Sequence, residues 1–407
     1  MVRDSSEENT QGKRKGFFSN VFFIGLISFF GGISQDIFVP VLPLYLSNVL
    51  HFDKSFIGLT EGLVTSSASI FKIVSGYLSD KFGKNKQIVF AGYFLSLVSR
   101  PLLALVTSNV GVLGLRFLDG VGKGVKDSPK DALIADSTQA DARGKGFGIV
   151  RALDTFGSVV GPLLLFALLY LLQNNNLKYH YIFFVTAIPL LFTLGILALV
   201  VREVPVSSIA SANKAGDHAL PKKFYIFLAI VTFFSIGNSS DTFLILRAQN
   251  VGVGLLAIPL VYALFNFVYA SASIPLGSLS DRIGREKVIL LGWGSYGLAY
   301  LGFALASKSY QIWFLFAFYG IYYATTEGVA KAFIADIVAA GHRGRAYGIY
   351  NALVGLATLP ASVIAGFLWD KVSPAAPFYF ASIIAILSAG LLFIYTNVFK
   401  SKRWASA

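Results

Sequence analysis

Gly76-Tyr77-Leu78-Ser79-Asp80-Lys81-Phe82-Gly83-Lys84-Asn85-Lys86 is a short charged turn set between two long apolar runs, and the chain carries it twice. The second copy is Gly277-Ser278-Leu279-Ser280-Asp281-Arg282-Ile283-Gly284-Arg285-Glu286-Lys287. In each copy one helix must end and the next begin within about six residues, so Gly83 and Gly284 are expected to supply the turn. Lys81, Lys84 and Lys86 are expected to stay at the level of lipid headgroups. The repeat extends beyond the turn. Residues 120–149 align with 320–349 at one constant offset: Gly120 meets Gly320, Asp127 meets Glu327, Ala132-x-Ile134-Ala135-Asp136 meets Ala332-x-Ile334-Ala335-Asp336, and Arg143-Gly144 meets Arg343-Gly344. With a small drift in register, Asp36 finds Asp241, each shortly after a Phe-Phe pair. The chain reads as one unit written twice in parallel.

Of 407 residues, 55% are hydrophobic and only 14% charged, which is too much apolar surface to hide in a soluble core. The solvent must include lipid. With no cysteine, disulfides, thiolate metal sites and cysteine nucleophiles are excluded. His51, His180, His218 and His342 all fall in polar breaks, so neither a metal site nor a catalytic set is expected, and no cofactor. A nucleotide-binding G-x-x-x-x-G-K-[ST] loop is also missing. The polar start ends in Lys13-Arg14-Lys15, and the apolar run after it is too long for a secretory signal, so it reads as a first membrane helix.

The net charge of +13 could suggest a nucleic-acid partner, but its distribution argues otherwise. Sorted by expected position, about 21 basic residues fall on the cytoplasmic side, about 4 outside and about 9 within membrane segments. That is the positive-inside pattern, and it faces anionic lipid rather than nucleic acid.

Twelve apolar segments are long enough to cross about 30 Å of hydrocarbon. The expected fold is an all-α membrane protein with 12 transmembrane helices in two six-helix pseudo-symmetric bundles. Residues 1–16 form an N-terminal tail, 17–201 the first bundle, 202–221 a linker, 222–398 the second bundle and 399–407 a C-terminal tail. An even number of crossings, with Lys400, Lys402 and Arg403 at the far end, puts both termini in the cytoplasm.

Both copies of the turn resemble the loop motif of the major facilitator superfamily, G-x-L-x-D-x-x-G-x-[KR]-x-x. The resemblance implies a transporter whose two halves move against each other in a prokaryotic inner membrane. It further implies that Gly76, Asp80, Lys81, Gly83 and Lys84 form a gating motif, echoed by Gly277, Asp281, Arg282, Gly284 and Arg285. In it Asp80 would meet the positive N-terminus of a helix in the other half, with Asp281 a weaker copy. Arg116-x-x-x-Gly120-x-Gly122 is similar to the superfamily's fourth-helix motif, whose arginine is associated with proton coupling. Gly157-x-x-x-Gly161-Pro162 resembles the front of the antiporter-associated motif, but Leu163 to Phe166 depart from it.

The fourth segment is chemically unusual. Arg116, Asp119, Lys123, Lys126, Asp127, Lys130 and Asp131 recur every three or four residues and share one helical face. A charge at mid-bilayer costs about 3 kcal/mol or more, so this face must line a protein-enclosed cavity or pair with neighbours. Asp119 with Lys123 and Lys123 with Asp127 are spaced to pair along the helix. Pro129 either kinks the helix or unwinds a turn near Lys126 to Lys130, or else ends the regular helix. Arg151 and Asp154 are spaced to pair with each other or to reach the fourth segment.

The candidate proton-coupling or substrate-cavity residues are therefore Asp36, Glu61, Lys72, Arg116, Asp119, Lys123, Lys126, Asp127, Arg151, Asp154, Asp241 and Glu327. Asp36 and Asp241 are the favoured coupling pair, or else packing residues bonded to Ser34 and Asn238. The excess of Lys and Arg toward the cytoplasm leans to an anionic or zwitterionic solute. The second half keeps Asp241, Arg247, Glu327 and Lys331, and adds Tyr262, Asn266, Tyr269, Tyr322, Tyr323 and Asn351 as an amphipathic wall or as plain packing.

The expected function is secondary active transport of a small solute, coupled to protons, with export of small organic molecules preferred. Alternatives are an uptake symporter for an organic anion or metal chelate and, from another class, a lipid flippase or scramblase; a transport-dead receptor is disfavoured. Partners would be a small-molecule solute, protons and membrane lipids, with the chain monomeric.

Overall fold

In lipid an apolar run can satisfy its own peptide groups only by closing them into a helix. The computed structural model describes the backbone of residues 4–138, 143–203, 220–339 and 342–404, and side chains in 20–138, 145–203, 220–339 and 342–397. Most of the linker, including His218, lies outside the described residues, as do the side chains of Lys13, Arg14, Lys15, Arg143, Lys400, Lys402 and Arg403.

The order is α1 (Asp4–Asn48), α2 (Lys54–Phe82), α3 (Asn85–Leu102), α4 (Asn109–Asp136), α5 (Arg143–Leu171), α6 (Lys178–Val185), α7 (Ala187–Leu199), α8 (Lys222–Gly237), α9 (Thr242–Asn250), α10 (Ala257–Ile283), α11 (Arg285–Leu305), α12 (Ser309–Ile337), α13 (Arg343–Lys371) and α14 (Ala376–Trp404). Thr186 alone separates α6 from α7, and α8 and α9 share one span, so twelve membrane-length segments result. Among the described residues, 10 are apolar enough to cross a membrane on composition alone. The two long helices outside that set are α4, with its charges, and α12, with four tyrosines and a glutamate.

One expectation is corrected. Pro129 neither ends α4 nor unwinds a turn of it, since the helix continues to Asp136. Instead the interruption falls in the seventh span, where Asn238 to Asp241 leave the helix between α8 and α9.

The chain divides into two compact units, Met1–Val39 with Ile70–Ala210, and Pro40–Ser69 with Ser211–Ala407. In the first, Val21, Ile24 and Ile27 of α1 pack with Val89 and Tyr93 of α3, Leu133 and Ile134 of α4, and Leu190 and Leu194 of α7. The glycines of α5 set a close crossing with α1: a Cβ on Gly157 would stand 2.3 Å from the Phe29 carbonyl oxygen, and one on Gly161 would stand 2.9 Å from Asp36 Cβ. Small residues at such a seam let backbones touch where there is no water to drive packing.

In the second unit α12 packs along α10 and α11, and α11 along α14. Residues 54–69 of α2 lie flat on α13 in this unit, so closely that a Cβ on Gly58 would be 2.1 Å from the Ser362 carbonyl oxygen and one on Gly366 would be 2.4 Å from that of Lys54. Asp370 closes the seam. Its carboxylate accepts from the backbone N–H of Lys54 (3.2 Å) and of Ser55 (2.7 Å) and from the Ser55 hydroxyl (2.7 Å), capping the start of α2.

Candidate functional site

The duplicated turn is built as its glycines suggest. Gly83 (φ +62°) and Gly284 (φ +99°) both take the left-handed conformation that a side chain disfavours, and each separates two helices. The two copies are then tied differently. In the first, Ser79 donates to the Asn85 side-chain oxygen, Asn85 donates to Asp136 (3.4 Å), and the Lys86 N–H donates to Glu203 (2.9 Å), a carboxyl that burial pushes above its ordinary range. In the second, Arg285 makes ion pairs with Asp336 (3.2 Å) and Asp281 (3.5 Å). Asp80, Lys81, Lys84 and Arg282 are exposed, and Gly76 and Gly277 lie in the last turns of α2 and α10.

In the first unit the buried charge converges on Asp119, which is 2% exposed. Arg100 from α3 donates to one oxygen (3.1 Å), and Arg116, one turn earlier on α4, to the other (3.3 Å). Arg100 also donates to Ser34 (2.8 Å) and Gln35 of α1, and both guanidiniums sit over the Phe38 ring, 5.3 and 5.4 Å from its centroid. One carboxylate thus balances two buried cations, and aromatic and amide groups solvate the remainder. Pairing within the fourth helix through Lys123 does not occur: Asp119 goes to the arginines, and Asp127 to Lys72 of α2 at 3.8 Å.

Lys126 stands over the Tyr93 ring at 4.4 Å, and Arg151 pairs with Asp154 at 3.7 Å. Asp36 is buried and hydrogen-bonded to Ser158 of α5. It is not held by Ser34, whose hydroxyl donates to the Thr186 carbonyl (2.8 Å).

In the second unit the broken span carries the polar chemistry. Asp241, at the end of the break, accepts from the Tyr319 hydroxyl (2.7 Å) and the Tyr323 hydroxyl (3.1 Å) of α12, while Asn238 turns to Tyr322 (3.1 Å). Ser240 in the same break donates to Glu61 of α2 (3.4 Å). Discontinuous membrane helices are where transporters commonly expose backbone and side-chain groups to a bound solute. Beside the break a cavity of about 260 Å³ opens between α8, α11, α12 and α13, lined by Asn238, Trp293, Tyr322, Tyr323 and Glu327 among others. Glu327 accepts a hydrogen bond from Tyr269 of α10. Arg247 has a different use, donating to the carbonyls of Phe303, Ala304 and Ala306 (3.0 Å each) and so capping the end of α11.

Sequence reading missed Trp293, Tyr296, Tyr300 and Tyr319 as members of this polar-aromatic region. Tyr296 and Tyr300 stack at 4.0 Å, and Tyr296 donates to the Gly237 carbonyl at the edge of the break (2.9 Å). The repeat itself carries the signal that would have found them, because the offset that pairs Gly120 with Gly320 also pairs Arg100 with Tyr300 and Asp119 with Tyr319.

The chain matches the family model of the Major Facilitator Superfamily over residues 24–264 and 224–406. An uncharacterized MFS-type transporter of Methanocaldococcus jannaschii is 38% identical over 97% of this chain and 100% of its own. A multidrug resistance protein of Proteus mirabilis is 24% identical over 93% of this chain and 96% of its own, and the class B tetracycline resistance protein of Escherichia coli is 33% identical over 38% and 37%. Among solved structures, a D-xylose-proton symporter superimposes with a TM-score of 0.75 at 19% identity, over 93% of this chain and 98% of its own, which is a likeness of fold. Charged turn, doubled six-helix unit and family match agree: the chain belongs to the Major Facilitator Superfamily and is an integral membrane transporter.

Proposed function

We propose that the protein is a proton-coupled secondary transporter that exports small organic molecules by alternating access. The observation that carries this reading is the interrupted seventh span, where a carboxylate, Asp241, sits at the end of an unwound turn under two phenolic donors. A group so placed gains or loses a proton at the cost of rearranging a few hydrogen bonds, and the unwound turn supplies the freedom to do so. Asp36, Asp241's partner in the repeat, is the second coupling carboxylate. Asp80 serves as the latch of the cytoplasmic gate, and Arg116 and Asp127 belong to the moving polar face of α4. The relatives named for resistance to tetracycline and to multiple drugs favour an organic solute and outward movement.

The test uses full-length protein in liposomes under an imposed pH gradient, with labelled organic solutes of positive, zero and negative charge and, separately, fluorescent phosphatidylcholine. Gradient-driven solute flux that Asp241→Asn uncouples is expected. Headgroup translocation without solute flux would replace the proposal with lipid flipping.

A further inference from the structure

We propose that the cavity of the second unit binds a compact lipophilic organic monocation, such as a quaternary or protonated tertiary ammonium bearing an aromatic group. The physiological meaning of such a site rests on the transport reading above, whereas its chemistry rests on the cavity alone.

The walls are aromatic on several sides. Phe234 of α8 and Trp293 of α11 stack 4.7 Å apart and nearly parallel (7°), and Tyr322 and Tyr323 of α12 stand edge to face at 5.3 Å, with Tyr350 of α13 completing the lining. Aromatic faces carry negative potential, so a cage of rings attracts a cation whose own hydration is weak. The lining holds one carboxylate, Glu327, and no lysine, arginine or histidine. The Tyr269 hydrogen bond holds that carboxylate in place at the wall.

Three of the lining hydroxyls are already engaged as donors within the protein. Ser235 donates to the Val231 carbonyl (2.8 Å), Thr326 to that of Tyr322 (2.7 Å), and Tyr323 to Asp241 (3.1 Å). The cations that made the sequence lean to an anionic solute, Lys72, Lys123, Lys126 and Arg151, belong to the other unit, where Asp127 meets Lys72 and Asp154 meets Arg151. Size points the same way as charge. At about 260 Å³ the cavity lies just under the usual range for small-molecule pockets, roughly 300 Å³ upward, so it suits a small cation rather than a bulky drug.

The experiment is calorimetric titration of the full-length, detergent-purified protein with benzyltrimethylammonium, and with benzylsulfonate as a probe of matched shape and opposite charge. Saturable binding of the cation, at least tenfold tighter than that of the anion, is expected. Glu327→Gln should weaken cation binding at least tenfold and Trp293→Leu severalfold, with thermal unfolding monitored to show that each variant is folded. Binding of the sulfonate equal to or tighter than that of the cation in the unmodified protein overturns the proposal, as does no saturable cation binding. Cation affinity unchanged in folded Glu327→Gln overturns it too. Charge-selective binding without flux in liposomes would support the cation site while removing the transport reading, so the two ideas fail separately.

Discussion

α3 with α4 and α11 with α12 are the same helix pair written twice, and they fill the same positions with opposite chemistry. Arg100, Arg116, Asp119 and Lys123 in the first unit stand where Tyr300, Phe316, Tyr319 and Tyr323 stand in the second. α4 begins at Asn109 and α12 at Ser309, so the backbone frame is held in register. One pair buries charge and gathers two cations on a single carboxylate; the other buries phenols, each an apolar body with one polar tip. The charged version concentrates its stability in one side chain. In the aromatic version, stacked rings share the load, and the polar tips remain available to hold Asp241.

This contrast can be broken most directly at Asp119. Asp119→Asn removes the carboxylate on which two buried guanidiniums converge and is expected to cost about 3–5 kcal/mol. Tyr319→Phe at the matching position removes one hydrogen bond to a carboxylate and should cost about 1–3 kcal/mol. Unfolding curves of both variants in one detergent decide the matter, and equal losses would end the distinction.

Next in size is Gly157→Ala, which writes into α5 the residue that α13 carries at Ala357. The new methyl would meet the Phe29 carbonyl, so a loss of about 1–3 kcal/mol is expected from forced separation of α1 and α5. A neutral result in the same unfolding assay would show that the seam has slack.

The smallest effect is expected at Arg151→Asn, again the residue of the repeat, Asn351. Arg151 is 54% exposed and its pair with Asp154 is loose at 3.7 Å, so stability should change by less than about 1 kcal/mol. If proton-driven flux falls while unfolding is unchanged, Arg151 belongs to the transport cycle; unchanged flux removes it from the cavity set.

The spans, the doubled turn and the repeat could be read from sequence because each depends on local chemistry: an apolar run, a glycine at a reversal, a matched spacing. Partner choice was not legible in the same way. Helical spacing offers Lys123 to Asp119, but only the packing of α3 on α4 brings Arg100 within reach. Pro129 looked like a breaker because proline ends helices in water; within a packed membrane helix neighbouring groups compensate, and α4 continues. The true break at Asn238 to Asp241 follows Gly237-Asn238-Ser239-Ser240, a turn-forming run visible in sequence but outweighed by the apolar stretches around it. The aromatic site is scattered over α8, α11, α12 and α13 and acquires meaning only when those helices assemble.

The flat contact of α2 on α13 has a mechanical consequence. Where Gly58 meets the backbone at Ser362 and Gly366 meets that at Lys54, the contact is largely of backbone against backbone. Contacts of backbone on backbone ask less of side-chain rotamers, on parting and on closing, than interdigitated ones do. The cost of parting them falls instead on a few polar contacts, chief among them the three hydrogen bonds of Asp370. A seam of that kind behaves as a zip fastened at one end, quick along its length and controlled at its tip.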